Sequence, residues 1–121
     1  MGSYLTIKKQ GVKICSFSRN TIFYEVLYER ASYDKWTECD IRDLNIGYDD
    51  LQEKISNCKK AIERENKALS LLTQKEEIFD TLSSIESLQE TLEEKVEALM
   101  YIKFLIHIWQ QDKGGLEWML G

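Results

Sequence analysis

The chain has 121 residues, 43% hydrophobic and 31% charged, which suits one core-forming domain and leaves no room for two. Six glycines and no proline exclude collagen-like and Pro-rich disordered chains. Sixteen basic against twenty-one acidic residues give a net charge of −5, the wrong sign for a general nucleic-acid coat protein, so no direct nucleic-acid binding is expected.

The first predicted element is a β-hairpin. Leu5 and Ile7 alternate with Thr6 and Lys8, and Val12 and Ile14 alternate with Lys13, the two-residue period of a half-buried strand. Gly11 supplies the positive φ that a tight turn between them needs. Met1-Gly2-Ser3-Tyr4-Leu5-Thr6 also fits the loose myristoylation pattern, but that pattern is short and common, and the strand reading is preferred. Asn20-Thr21 can cap a short helix carrying Phe23, Val26, Leu27 and Arg30, although the β-branched and aromatic content of residues 20–31 leaves a third strand open. Residues 32–47, punctuated by Ser32, Asp34, Asp40, Asn45 and Gly47, read as a loop with a turn of helix near Cys39 to Leu44.

From residue 48 onward the pattern is helical. A helix starting at Asp49 or Asp50 carries the stripe Leu51, Ile55, Cys58, Ile62, Glu65, Leu69, Leu72 in steps of four and three. A second stripe runs Ile78, Leu82, Ile85, Gln89, Leu92, Val96, Leu99, Lys103, Ile106. The two do not share a register, because the phase slips by one residue between Leu72 and Ile78. Thr73-Gln74-Lys75-Glu76 in that gap is a capping-box pattern, so an antiparallel helical hairpin turning near Thr73 is expected. A turn at Asp80 to Ser84 and an unbroken rod are the rivals. With the turn at Thr73 the helices are about 24 and about 38 residues, the second spanning roughly 57 Å. Residues 99–109 then overhang, apolar on nearly all sides, and the N-terminal hairpin is their natural cover. Gly114-Gly115 ends the helix, and Leu116 to Leu120 follow as a short apolar tail.

The expected fold is therefore α+β and mostly helical, an N-terminal β-hairpin packed on the end of a long, coiled-coil-like antiparallel helical hairpin. Residues 1–121 form a single domain with two lobes. Residues 1–47 hold the β-hairpin, short helix and loop at net charge +1, and residues 48–121 hold the helical hairpin and aromatic tail at −6.

Few residue patterns point to chemistry. Cys15, Cys39 and Cys58 are too widely spaced for a disulfide framework, zinc knuckle or redox pair, which fits a reducing, cytoplasmic setting. One histidine, His107, cannot build a His-rich metal site, and it reads as a buried histidine of the overhang. Cys58 reads as a packed core residue. No signal peptide, membrane span, phosphate-cradling loop, metal site or cofactor motif is evident, and no catalytic constellation is expected.

Residues 76–97 hold eight acidic residues and one lysine, with Glu86, Glu90, Glu94 and Glu97 on one helix face and Glu93 beside them. As a functional surface this face competes for a basic groove on a nucleic-acid-handling protein. As an ordinary solvated face it is partly neutralised by Lys59, Lys60, Arg64 and Lys67 across the hairpin. The aromatic end formed by Tyr101, Phe104, Ile108, Trp109 and Trp118 is the expected interface of a homo-oligomer, with a two-fold dimer favoured.

The hairpin opening at Met1 to Phe17 and the acidic Glu76 to Glu97 segment together resemble small cytosolic bacteriophage accessory proteins, among them inhibitors of host defence. That resemblance implies stoichiometric binding, either blocking a nuclease complex or soaking up a nucleotide signal. The expected function is a non-enzymatic inhibitor or scaffold that binds a protein partner through the acidic face. The alternative is a homo-oligomer that sequesters a small ligand in pockets built from Arg and aromatic residues of the N-terminal lobe.

Overall fold

The computed structural model describes residues 4–121; Met1 to Ser3, where the myristoylation pattern of residues 1–6 begins, lie outside them. Strand β1 (Tyr4–Lys9) and strand β2 (Val12–Ser18) form the expected antiparallel hairpin, with one irregularity in register after Ile7. Its two-residue turn holds Gln10 at φ 51° and Gly11 at φ 81°, the positive pair that matches the twist of the flanking strands. The short helix is present as α1 (Ile22–Leu27). Its Thr21 cap accepts the Tyr24 amide at 3.2 Å, and a single 3₁₀ turn (Tyr28–Arg30) follows.

Strand β3 (Thr37–Glu38) and helix α2 (Ile41–Leu71) follow; α3 (Lys75–Asp112) and β4 (Leu116–Leu120) complete the chain. The fold is thus α+β and mostly helical, with a small sheet packed on the base of a helical hairpin. The hairpin turns at residues 72–74, where the phase slip places it, rather than at Asp80 to Ser84. The capping box is not used: Gln74 takes the cap position and makes no side-chain cap bond.

Three expectations are corrected. Helix α2 starts at Ile41, well before Asp49. Asp40 takes the cap, its Oδ1 accepting the Arg42 amide at 2.9 Å, and Leu44, Gly47 and Leu51 put one buried face of the new turns on the core. Gly47 is not loop punctuation but packs directly against α1: a Cβ there would sit 2.7 Å from Leu27 Cδ2. The apolar tail is strand β4, which lies between β1 and β3 in a four-stranded antiparallel sheet of order β2-β1-β4-β3. Leu5 pairs with Leu120 and Ile7 with Trp118, so Leu116, Trp118 and Leu120 all point into the core, Trp118 with 0% exposure. Trp118 therefore cannot serve as an oligomer interface.

The third correction concerns the overhang. One buried core gathers Leu5, Ile7, Phe17, Phe23, Leu27, Leu44, Leu51, Ala98, Ile102, Leu105 and the β4 residues. The sheet and α1 cover the Ala98–Ile102–Leu105 face of α3 rather than continuing the Leu99–Lys103–Ile106 stripe, because two partners share the helix base. Burial is not all round: Met100, Tyr101 and Phe104 remain exposed, and Ile108 and Trp109 are half-buried against the core. His107 is exposed and shares a 3.0 Å hydrogen bond with Gln111.

Ionic ties fasten the N-terminal elements to the two long helices. Lys9 Nζ donates to the Ile108 carbonyl at 2.8 Å and pairs with Asp112 at 2.8 Å, so β1 caps the carbonyl end of α3 with a cation. Arg30 bridges to Asp43 at 3.2 Å, joining the 3₁₀ turn to α2. Among the described residues no helix is long and apolar enough to cross a membrane.

Candidate partner-binding site

The acidic residues Glu86, Glu90, Glu93, Glu94 and Glu97 are all exposed on α3. Among the described residues no salt bridge joins them to Lys59, Lys60, Arg64 or Lys67, so no close ion pair supplies the partial neutralisation expected across the hairpin. The reason is placement. The seam between the helices is held by Ile55, Cys58 and Ile85, with Cys58 Sγ donating to the Leu88 carbonyl at 3.3 Å, and the charged faces turn outward from it. Cys58 is a packed core residue, as its spacing indicates.

At the base, the acidic face runs into a cleft of about 250 Å³. Phe17 comes from β2, Asn20 to Phe23 from the α1 entry, and Glu94, Glu97, Ala98 and Tyr101 from α3. The entry turn is fixed locally: the Ser18 carbonyl accepts both the Thr21 amide at 3.0 Å and its hydroxyl at 2.8 Å. Phe17 and Phe23 stack with centroids 3.9 Å apart. Tyr101 meets Phe17 edge-on at 5.1 Å and Phe23 at 6.3 Å. Tyr101 is 41% exposed and forms the outer wall.

Phe17 and Phe23 stack on each other and are nearly buried, so Tyr101 is the ring exposed to the cleft, and it adjoins two carboxylates that make no salt bridge among the described residues. The arrangement suits a guanidinium or ammonium group. Sequence reading found Glu94 and Glu97 but placed Tyr101 in an oligomer interface and passed over Phe17 and Phe23. A signal existed for Tyr101: it follows Glu94 and Glu97 at steps of three and four, on the same helix face. Nothing local in Phe17 or Phe23 marks them, because the strand and α1 reach α3 only through the tertiary fold.

A second cleft, about 370 Å³, brings Arg19 beside Tyr24, Glu25, Tyr28 and Tyr33. Tyr24 and Tyr28 stack in parallel at 5.7 Å. Elsewhere the nucleophilic groups are quiet. Burial pushes the Cys15 thiol up to about 11 against the lowering effect of Lys13, and raises Cys39 further still. Among the described residues no three His, Cys, Asp or Glu side chains cluster as metal ligands. Comparison with family models, curated proteins and solved structures finds no match for this chain.

Proposed function

We propose that this chain is a non-enzymatic interaction protein, a stoichiometric inhibitor or scaffold that binds a basic segment of a protein partner through the acidic face of α3. The observation that carries the reading is the cleft in which Glu94 and Glu97 adjoin Phe17, Phe23 and Tyr101. A cationic side chain of the partner enters it, and Glu86, Glu90 and Glu93 steer the rest of the segment along the helix. Basic grooves of this kind belong to nucleic-acid-handling proteins, the partner class that the resemblance to phage accessory inhibitors also implies.

Fluorescence anisotropy of a labelled arginine-rich peptide tests the reading. The peptide is expected to bind the wild type and to lose at least about tenfold in affinity with Glu94→Lys/Glu97→Lys, since close charge pairs at interfaces carry more than ~1.5 kcal/mol. Equal binding by the variant contradicts it.

The Arg19 cleft favours a second reading, sequestration of a nucleotide whose base lies against the tyrosines while Arg19 meets its phosphate. That reading requires ligand-dependent thermal stabilisation. A panel of nucleotides that leaves the melting temperature unchanged rejects it.

A further inference from the structure

We infer that the Glu94–Glu97 cleft and the Arg19 cleft are two halves of one site. It takes a partner segment with an acidic side chain two or three residues from the arginine or lysine that enters the first half. This rests on the protein-binding reading above, under which the Arg19 cleft holds no nucleotide.

The two clefts share a wall. Asn20 and Thr21 line both, so the clefts lie on either side of the turn that leads from β2 into α1. Local hydrogen bonds set that wall in place. The Ser18 carbonyl accepts the Thr21 amide at 3.0 Å and its hydroxyl at 2.8 Å, and Thr21 Oγ1 in turn accepts the Tyr24 amide at 3.2 Å. Asn20 is exposed on the wall, and its side-chain amide makes no hydrogen bond among the described residues. It is free to bond the main chain of a segment that crosses there.

The charges of the two halves are opposite. The first holds Glu94 and Glu97. The second holds Arg19, which is exposed and joins no ion pair among the described residues. One carboxylate, Glu25, also lines the second half. Glu25 and Tyr28 line a further groove with Ile46 and Asp50 of α2, which sets Glu25 at the far rim, while Arg19 adjoins Asn20 at the shared wall. Tyr33, 63% exposed, adds a hydroxyl donor beside Arg19. A purely basic segment brings like charge up to Arg19, whereas a cation with a neighbouring carboxylate finds a partner in each half. Two or three extended residues span about 7–10 Å, enough to carry the segment across the wall.

By net charge alone, adding carboxylates to a basic peptide weakens its binding to a chain of charge −5, so a gain reports a local contact. Fluorescence anisotropy with three labelled peptides tests this. All share an Arg-Ala-Arg core: one has neutral flanks, one has a pair of glutamates two and three residues before the core, and one has the same pair after it. One of the acidic peptides is expected to bind the wild type at least about threefold more tightly than the neutral peptide. That gain is expected to vanish in Arg19→Ala and Arg19→Gln. It is expected to persist in Lys67→Ala, which removes the same charge from an exposed position on α2. Circular dichroism checks that each variant folds. No gain from either acidic peptide overturns the inference, as does a gain that survives loss of Arg19 or disappears with Lys67. Neutral-peptide binding that Glu94→Lys/Glu97→Lys abolishes, with no gain from the glutamates, overturns the composite site and leaves the acidic-face reading standing. Binding by none of the three peptides overturns both.

Discussion

Trp118 is the largest side chain buried without exposure, and its Nε1 has no hydrogen-bond partner among the described residues. Its contribution is packing alone. Trp118→Ala is expected to cost about 3–5 kcal/mol by cavity formation, and Trp118→Phe clearly less, because no hydrogen bond is lost with the indole. Urea unfolding of both variants measures the difference. The Cys15 thiol titrates from an ordinary 9.0 up to about 11 because burial disfavours the thiolate. Between those values the native state holds a proton that the unfolded chain has released, so stability falls as pH rises through that window, and Cys39 adds the same sign. Cys15→Ala is expected to make the decline between pH 9 and about 11 shallower, read from urea midpoints. Residue-level burial was legible in part from local periodicity: Leu5, Ile7, Leu51, Ile55 and Cys58 are buried as their spacing indicates, whereas Val12, Leu82 and Val96, on the same patterns, are exposed because no neighbouring element reaches their face. Trp118 was not, since an aromatic near the end of the chain looks the same whether it faces a second subunit or a strand more than a hundred residues upstream.

At the scale of elements, the start of α2 shows how tertiary contact overrides local punctuation. Asn45 and Gly47 disfavour helix on propensity, yet Gly47 is the only residue that lets Leu27 approach so closely, and the gain in packing carries the helix through. The Asp40 cap sets where it begins. Hydrogen bonds from the Arg42 side chain and then its amide hold the Asp40 carboxyl below the usual carboxylate range. A depressed carboxyl stabilises the fold above its unfolded value and loses that contribution as pH falls through the lowered one. Asp40→Ala is expected to speed amide exchange across the first turn of α2 and Asp40→Asn to leave it nearly unchanged, since Asn keeps the acceptor. The turn at residues 72–74 was readable because two helices that pack on each other must each keep a seam, and the seams differ in phase. Strand β4 was the least readable element: its alternation spans five residues, and its partners β1 and β3 lie far away in sequence.

At the scale of the whole molecule, the buried core sits at one end and the helices extend from it, leaving opposite charges on their outward faces. The arrangement serves recognition better than enclosure. The deep packing is spent on holding β2, α1 and α3 in fixed relation, and that relation is what places Phe17 and Phe23 beside Tyr101, Glu94 and Glu97. The acidic half of the site was legible as a run of glutamates; the aromatic half exists only once the lobes are docked. The most direct measurement of that site is an NMR titration of the full chain with a short arginine peptide and its citrulline counterpart, which has the same shape without the charge. The ring signals of Phe17, Phe23 and Tyr101 are expected to shift with the arginine peptide only, and Glu94→Gln/Glu97→Gln is expected to abolish the shift. Ring signals that stay unmoved, or that move equally for citrulline, would contradict a cation-binding cleft.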